Sequence, residues 1–398
     1  MECRQCGTRF AVPRGARTVQ CGHCRGVTRV ERHGAVSFVR NMLTNITGGG
    51  RTKPHPGYPR VQGNKRALLV GINYTGTASQ LNGPINDVKC MTFLLSIKYG
   101  FPSDSILVLT GKGHIHIQER TPTFLRSVPS IDVIVMLSLH SCTSLQEQHM
   151  RLIRLFLLAD EQLDPYRRPT RSNILVAMRW LVHDCSSGDS LVFHFSGHGN
   201  QAEDDDGDEL DDEDETICPL DWEQSGDIRD DEINEILVRP LVHGVRLHAF
   251  IDACHSGTVL DLPNLCHIKR HGKPQWIDQT PPTGAWKNTS GGHAILISGC
   301  AENDDSQDSC GDETMVMGAL TYSFFAAAWS AHRPLTYGQL LSKTKAIIAD
   351  CNSDSQGHCS LPAAIAPHVR EVVNFSGVQE PQLSSSEMFD INRRTFML

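Results

Sequence analysis

The stretch "VRLHAFIDACHSGTVLDL" (residues 245–262) decides the fold. Val245 to Ile251 are mostly apolar, as in a strand buried in a sheet, and Gly257 suits a turn just beyond it. Three reactive side chains, Cys254, His255 and Ser256, follow that strand side by side. Open α/β sheets place their ligand crevice outside the carboxyl ends of parallel strands, so this is where chemistry is expected. A thiol there becomes a nucleophile only if a base deprotonates it. His255 is poorly placed to be that base, because neighbouring side chains at a strand end diverge. Ser256 lacks a nucleophile-elbow context and is read as a structural turn residue.

A second strand supplies the better base. "LVFHFSGHGNQ" (191–201) also ends in small residues and places His198 between Gly197 and Gly199, which let the backbone approach a substrate closely. His194 lies mid-strand and is read as packed. His198 precedes Cys254 by 56 residues, with helical spacing in "DDEINEILV" (230–238) between them. Two neighbouring parallel strands joined by such a crossover bring their carboxyl ends together. The pair is therefore read as base and nucleophile.

Outward from these two strands the same rhythm continues. "RALLVGINY" (66–74), "SILVLT" (105–110) and "HAILISG" (293–299) read as buried strands. "NDVKCMTFLLSIKYG" (86–100), "TRSNILVAMRWLVHDC" (170–185), "ALTYSFFAAAWSA" (319–331) and "TYGQLLSKTKAIIADC" (336–351) read as helices. Strand–helix alternation of this kind predicts an α/β fold, a mostly parallel sheet flanked by helices. Residues 111–159 break the rhythm and read as an insert. Gly111-Lys112 can be encoded as a splice donor and the segment's end as an acceptor, so a retained in-frame intron and a genuine long loop are both open.

Composition sets the class. The chain of 398 residues is 39% hydrophobic and 21% charged, as soluble globular proteins are. No apolar run approaches the roughly 20 residues that a spanning helix needs. "MECRQCGTRF" has no signal-peptide core, so its 14 cysteines are expected to be reduced thiols, metal ligands or a nucleophile in the cytoplasm or nucleus. The net charge of −8 is uneven: residues 1–66 hold 13 Lys/Arg and 2 Asp/Glu. Such a split marks two modules, each with its own partners.

The basic module carries Cys3, Cys6, Cys21 and Cys24 as two C-x2-C pairs separated by 14 residues. Two such knuckles complete a tetrahedral four-thiolate shell for structural Zn2+. Residues 1–32 are thus a small four-cysteine zinc finger, stabilised mainly by its metal. A Gly/Pro-rich linker at 33–64 separates it from residues 65–398. The finger's "FAVPRGARTVQC" resembles the plant lesion-simulating-disease class, which implies contacts with zinc-finger or cell-death regulatory proteins. Without aromatic interleaving, its arginines do not read as a nucleic-acid surface.

Several further motifs agree in order. "LNGPINDV" (81–88), "FHFSGHGNQ" (193–201), "DETICPLD" (214–221) and "IDACHSGTVLDLP" (251–263) together resemble the plant type I metacaspases. The resemblance covers nearly all of residues 65–398 apart from the insert. It implies a caspase-haemoglobinase fold and a calcium-dependent cysteine endopeptidase cleaving protein substrates after Arg or Lys, in programmed cell death or stress responses. Cys254 matches its nucleophile and His198 its base. Asp87 and Asp252 match the acidic pair that receives the basic side chain, with Ser196 beside them. Opposed charge suits a guanidinium in a desolvated pocket. The resemblance further implies a monomer.

Residues 203–215, "EDDDGDELDDEDE", hold 11 acids in 13 positions, mostly a solvated loop. The resemblance implies that calcium takes Asp214, Asp230, Asp231 and Asp261 from dispersed loops, consistent with that ion's need for 6–8 oxygens. Glu213 stands where the family usually has an aromatic. Asp230 and Asp231 also suit a helix N-terminus. Lys269, Arg270, Lys273 and Lys287, in polar segments after Cys254, are expected self-processing sites. A different reading keeps the fold but not the activity: a silent zinc-finger adaptor disabled by the 111–159 insert.

Overall fold

The structure, a computed structural model, describes residues 18–20, 27–29, 58–60, 63–111, 164–204, 213–254, 256–268, 274–280, 286–301, 318–353 and 379–398. The chain forms two compact units, Met1–Pro56 and Gly57–Leu398. In the first, β1 (Thr18–Gln20) and β2 (Val27–Arg29) pair antiparallel, Thr18 opposite Arg29. Cys3, Cys6, Cys21 and Cys24 lie outside the described residues, as do the linker's residues 33–57 and most of the 111–159 segment.

The second unit is built on an eight-stranded sheet. Its strands are β3 (Lys65–Ile72), β4 (Ile106–Gly111), β5 (Ser190–Ser196), β9 (Arg246–Asp252), β10 (Asn264–Ile268), β11 (Pro274–Asp278), β12 (His293–Ala301) and β13 (Gln379–Ser385). Across the sheet the order is β11-β10-β13-β12-β9-β5-β3-β4. The five strands from β12 to β4 are parallel. They are the five apolar runs of the sequence, and residues from both of their faces are buried, as parallel strands between helical layers must be. β13, β10 and β11 extend the sheet antiparallel. The segments that read as merely polar, "NLCHI" and "PQWID", thus form a hairpin on the sheet's edge. Three short strands, β6 (Gly199–Glu203), β7 (Glu213–Ile217) and β8 (Ile228–Arg229), make a separate antiparallel sheet.

The pleat sends alternate residues of β3 to two cores. Leu68, Val70 and Ile72 join one that includes Ile174, Met178 and Leu181 of α2 (Arg171–Val182) and Ile233 of α3 (Asp230–Ile233). Ala67 and Leu69 join another with Val88 and Met91 of α1 (Pro84–Phe93), Leu320 and Phe324 of α4 (Ala319–Trp329), and Leu340 of α5 (Tyr337–Ser353). Each such aliphatic side chain contributes about 1.5–3 kcal/mol when buried. α2 begins where the Thr170 hydroxyl caps Asn173 N, and α1 where Pro84 fixes the first turn. Among the described residues no helix is long and apolar enough to cross a membrane.

Candidate active site

Sheet register brings the two motif ends together. β5 and β9 are parallel neighbours, with Ser196 opposite Asp252. His198 and Cys254 each lie two residues further on, so they leave adjacent strands at the same end. The turns touch: a Cβ on Gly199 would lie 2.1 Å from the Cys254 carbonyl oxygen. Only glycine permits that approach. The Gly197 N–H donates to Asp252 O at 3.3 Å, tying the two turns again.

His198 is held from three sides. Its backbone N–H donates to the Tyr74 hydroxyl at 3.0 Å, and that hydroxyl donates to Cys218 O at 2.6 Å. The Tyr74 ring lies 4.8 Å from the imidazole, centroid to centroid. The imidazole Nε2 meets Ser79 O at 2.7 Å. A carbonyl only accepts, so Nε2 carries the proton and Nδ1 is left with the lone pair that can take one. Tyr74 and Ser79 belong to one loop after β3, closed by Leu81 N on Asn73 O at 2.8 Å. Tyr74 is buried at φ +46°, a conformation few non-glycine residues adopt.

Cys254 carries a half-buried thiol that is in no disulfide bond. His255 lies outside the described residues. Ser256 is buried and its hydroxyl donates to Ala253 O at 2.8 Å and Gly299 O at 3.1 Å, a turn lock. His194 is buried, touches Thr321 Oγ1 at 3.2 Å, and burial pushes its pKa down to about 3, so it stays neutral and packed.

Asp87 of α1 and Asp252 of β9 converge. Ser196 Oγ donates to Asp87 Oδ2 at 2.6 Å, and Gly318 N to its two oxygens at 2.9 and 3.1 Å. Thr321 N donates to Asp252 Oδ2 at 2.7 Å. Gly318 sits between them: a Cβ there would lie 2.3 Å from Asp252 Oδ2 and 2.9 Å from Asp87 Oδ2. Burial, reinforced by the Asp252 charge, holds the Asp87 carboxyl well above its ordinary range, and burial raises Asp252 likewise.

The acidic loops contact one another. Arg229 pairs with Asp214, and Glu215 N donates to Asp230 Oδ2 at 2.9 Å. Asp230 and Asp231 open α3, as a helix N-terminus favours. Asp261, at φ +53°, pairs with Lys287 Nζ at 2.5 Å. Asn234 donates to the carbonyls of Leu260, Asp261 and Lys287 and so ties these loops to α3. All the donors are hard oxygens, as calcium requires. Among the described residues no three His, Cys, Asp or Glu converge to hold an ion.

One expectation is corrected. Lys287 is 4% exposed and ion-paired, so its peptide bond is not presented for self-processing. Lys269, Arg270 and Lys273 lie outside the described residues. Four positions escaped the sequence reading: Tyr74, Ser79, Gly318 and Asn234. The residues beside them form no recognisable motif, and a backbone carbonyl such as Ser79 O carries no side-chain signal.

Comparison with known proteins identifies the family. Residues 65–138 and 139–263 match the family described as metacaspase, peptidase C14 domain, and residues 3–27 match the LSD1 zinc finger. Metacaspase-1 of Arabidopsis thaliana is 37% identical over 406 residues, covering 100% of this chain and 96% of that protein. Metacaspase-3 of the same plant is 37% identical over 420 residues, covering 100% and 98%. Metacaspase-1 of Schizosaccharomyces pombe is 32% identical over 358 residues, covering 80% and 72%. With the turns that carry Cys254 and His198 touching at adjacent strand ends and relatives matched from end to end, the chain belongs to the metacaspases, cysteine endopeptidases here joined to an LSD1 zinc finger.

Proposed function

We propose that this metacaspase cleaves polypeptides after Arg or Lys, with Cys254 as nucleophile, His198 as base, and Asp87, Ser196 and Asp252 forming the pocket for the basic side chain. The observation that carries this is the Asp87–Asp252 pair. Both carboxyls are buried and close, both are raised above their ordinary range, and both adjoin the end of the sheet where Cys254 lies. A guanidinium or ammonium entering beside them relieves the repulsion and gains charge-assisted hydrogen bonds. An acidic or apolar side chain gains neither.

The chemistry follows from the His198 clamp. With Nε2 engaged by Ser79 O, Nδ1 takes the Cys254 thiol proton and the thiolate attacks the scissile carbonyl carbon. As the tetrahedral intermediate collapses, the imidazolium returns that proton to the departing amine, leaving a thioester on Cys254. Water, deprotonated by the same nitrogen, then hydrolyses the thioester and regenerates the thiol.

Calcium is read as the activator. Asp214, Asp230, Asp231 and Asp261 would hold it; the ion, when bound, supplies charge that orders the loops flanking the strand ends. Cys3, Cys6, Cys21 and Cys24 would hold structural zinc in the finger, which recruits zinc-finger or cell-death regulators. The test is hydrolysis of an Arg-terminated fluorogenic peptide with and without millimolar calcium, beside Cys254→Ala and an Asp-terminated control peptide. Activity that requires Cys254, calcium and the basic residue supports every part. Cleavage of the acidic peptide would overturn the pocket assignment, and calcium-independent turnover the activator.

A further inference from the structure

We infer that His194 is a positioning residue of the acidic pocket: it holds the Thr321 hydroxyl, and through Thr321 it fixes how Asp252 faces an incoming basic side chain. The inference rests on the pocket reading of Asp87 and Asp252 and adds what sets one of those two carboxyls in place.

A polar group stands where the fold calls for an apolar one. Successive side chains of a strand alternate between faces, so Val192, His194 and Ser196 of β5 share one. Val192 belongs to the apolar core against α4, together with Phe250, Leu320 and Phe324. His194 lies opposite Phe250 in the sheet, and the Phe250 ring is 4.4 Å from that of Phe324, centroid to centroid. The imidazole enclosed there is fully buried, and burial keeps it neutral. A valine or leucine in that layer would leave no polar group to satisfy.

Its hydrogen bonding accounts for the histidine. Nε2 meets Thr321 Oγ1 at 3.2 Å, whereas the buried Nδ1 has no partner among the described residues. Orphaned buried N–H groups are rarer than under-used acceptors, so the proton sits on Nε2 and His194 donates to Thr321. The Thr321 hydroxyl accepts from the imidazole and has its own single proton left to give. The acceptor beside it is Asp252. Thr321 N already donates to Asp252 Oδ2 at 2.7 Å, and the hydroxyl bonds the same carboxyl; with the Leu320 N–H, they pull its pKa down against the burial that raises it.

Thr321 lies in the first turn of α4, so the backbone donors here are the N–H groups that a helix start leaves unpaired. Gly318, just before that helix, gives its N–H to Asp87 instead. One helix start thus serves both pocket carboxyls, and β5 locks each of them. Ser196 donates directly to Asp87, and His194, two residues earlier on the same face, acts on Asp252 through Thr321. A threonine hydroxyl released from His194 turns among its rotamers and can bond back to a carbonyl of its own helix. Asp252 then loses a donor and its fixed orientation, and capture of the basic side chain has to restore both. Bond-breaking is spared, because His198 is held by Tyr74 and Ser79 and the Cys254 turn by Gly199.

The experiment is steady-state cleavage of an Arg-terminated fluorogenic peptide by the full chain in millimolar calcium, with kcat and KM resolved and active sites titrated. His194→Leu and Thr321→Val each remove the hydrogen bond, and each is expected to raise KM about fivefold or more with kcat nearly unchanged. The double variant is expected to stay within about twofold of the worse single one, because the two side chains act in series. His194→Gln, which keeps a side-chain N–H donor, and Thr321→Ser, which keeps the hydroxyl, should recover most of the KM. A His194 that only fills space would lower the melting temperature or the active fraction and leave the KM of the active enzyme alone; that result overturns the inference. Multiplicative losses in the double variant also overturn it. Where His194→Leu fails to fold, a parental KM in folded Thr321→Val overturns it equally. Asp252→Asn separates the two readings. If it loses the Arg peptide while His194→Leu and Thr321→Val keep the parental KM, the pocket stands and the inference falls. If Asp252→Asn keeps the parental KM, or the parent does not cleave the Arg peptide, the pocket reading fails and this inference with it.

Discussion

Replacing Asp87 with Asn should make the protein more stable and a worse enzyme. A Cβ on Gly318 would lie 2.3 Å from Asp252 Oδ2 and 2.9 Å from Asp87 Oδ2, which puts the two oxygens about 5 Å apart at most. At an effective dielectric of about 20, two full charges at that distance repel by roughly 3 kcal/mol. The structure offsets part of this with the Ser196 and Gly318 hydrogen bonds, and protonation offsets more. Asn keeps an acceptor for Gly318 N and removes the repulsion, so a gain of roughly 1 kcal/mol at pH 7.5, or ~2 °C in Tm, is expected. The same charge is lost to an incoming guanidinium. If that attraction mirrors the repulsion, kcat/KM for an Arg peptide falls by roughly 3 kcal/mol, or ~150-fold.

The pH dependence gives an independent sign. A carboxyl whose folded pKa is raised binds its proton more tightly in the native state. Its contribution to stability is therefore full below the ordinary carboxylate pKa and is lost as pH rises through the raised value. Parent stability should fall from mildly acidic toward neutral pH on this account, and the Asp87→Asn curve should be flatter over that window. Differential scanning calorimetry from pH 5 to 8 and peptide kinetics at saturating calcium read both effects. A variant less stable at pH 7.5, or one with kcat/KM within about twofold of the parent, refutes the charge-pair reasoning.

Three further outcomes are expected. Tyr74→Phe removes the hydroxyl that joins His198 N to Cys218 O, leaving both without that partner at a cost of about 1–3 kcal/mol; kcat should drop about tenfold or more with KM nearly unchanged, as measured by steady-state kinetics. Gly199→Ala forces a methyl within 2.1 Å of the Cys254 carbonyl, so activity should fall more than tenfold and thermal melting should show lost stability. Atomic absorption should find one zinc per chain, lost on replacing Cys3 and Cys6 with Ala, while the peptidase unit's melting transition stays in place because its core is its own.

The parts of this site that were legible in the sequence are those that repeat a physical pattern. Both motif ends follow apolar strands and are bracketed by small residues, and those strands proved to be neighbours. The helix over 319–331 was equally plain, since "ALTYSFFAAAWSA" is apolar almost throughout and lies buried. The antiparallel half of the sheet was not legible. β13, "QEPQLSS", is polar and contains a proline, and its place between β12 and β10 depends on partners about 80 to 120 residues away. Local propensity says little about such a strand, because pairing and not side-chain burial defines it. Tyr74 and Ser79 were hidden for a different reason. One acts through a hydroxyl and the other through a backbone carbonyl, and neither function selects a recognisable spacing.

The pairing of Ser196 with Asp252 has a mechanical consequence. Each of the two strands ends on one residue of the proposed pocket and leads, two positions on, to one residue of the proposed catalytic pair, so the four travel together. A shift of either strand by a single position would turn both of its functional side chains to the wrong face at once. Recognition and bond-breaking therefore cannot be tuned against each other by small movements of the sheet. Asp87, riding on a helix outside these two strands, is the carboxylate of the proposed pocket that can be exchanged without shifting Cys254 or His198, and a change of substrate preference in this framework has to begin there.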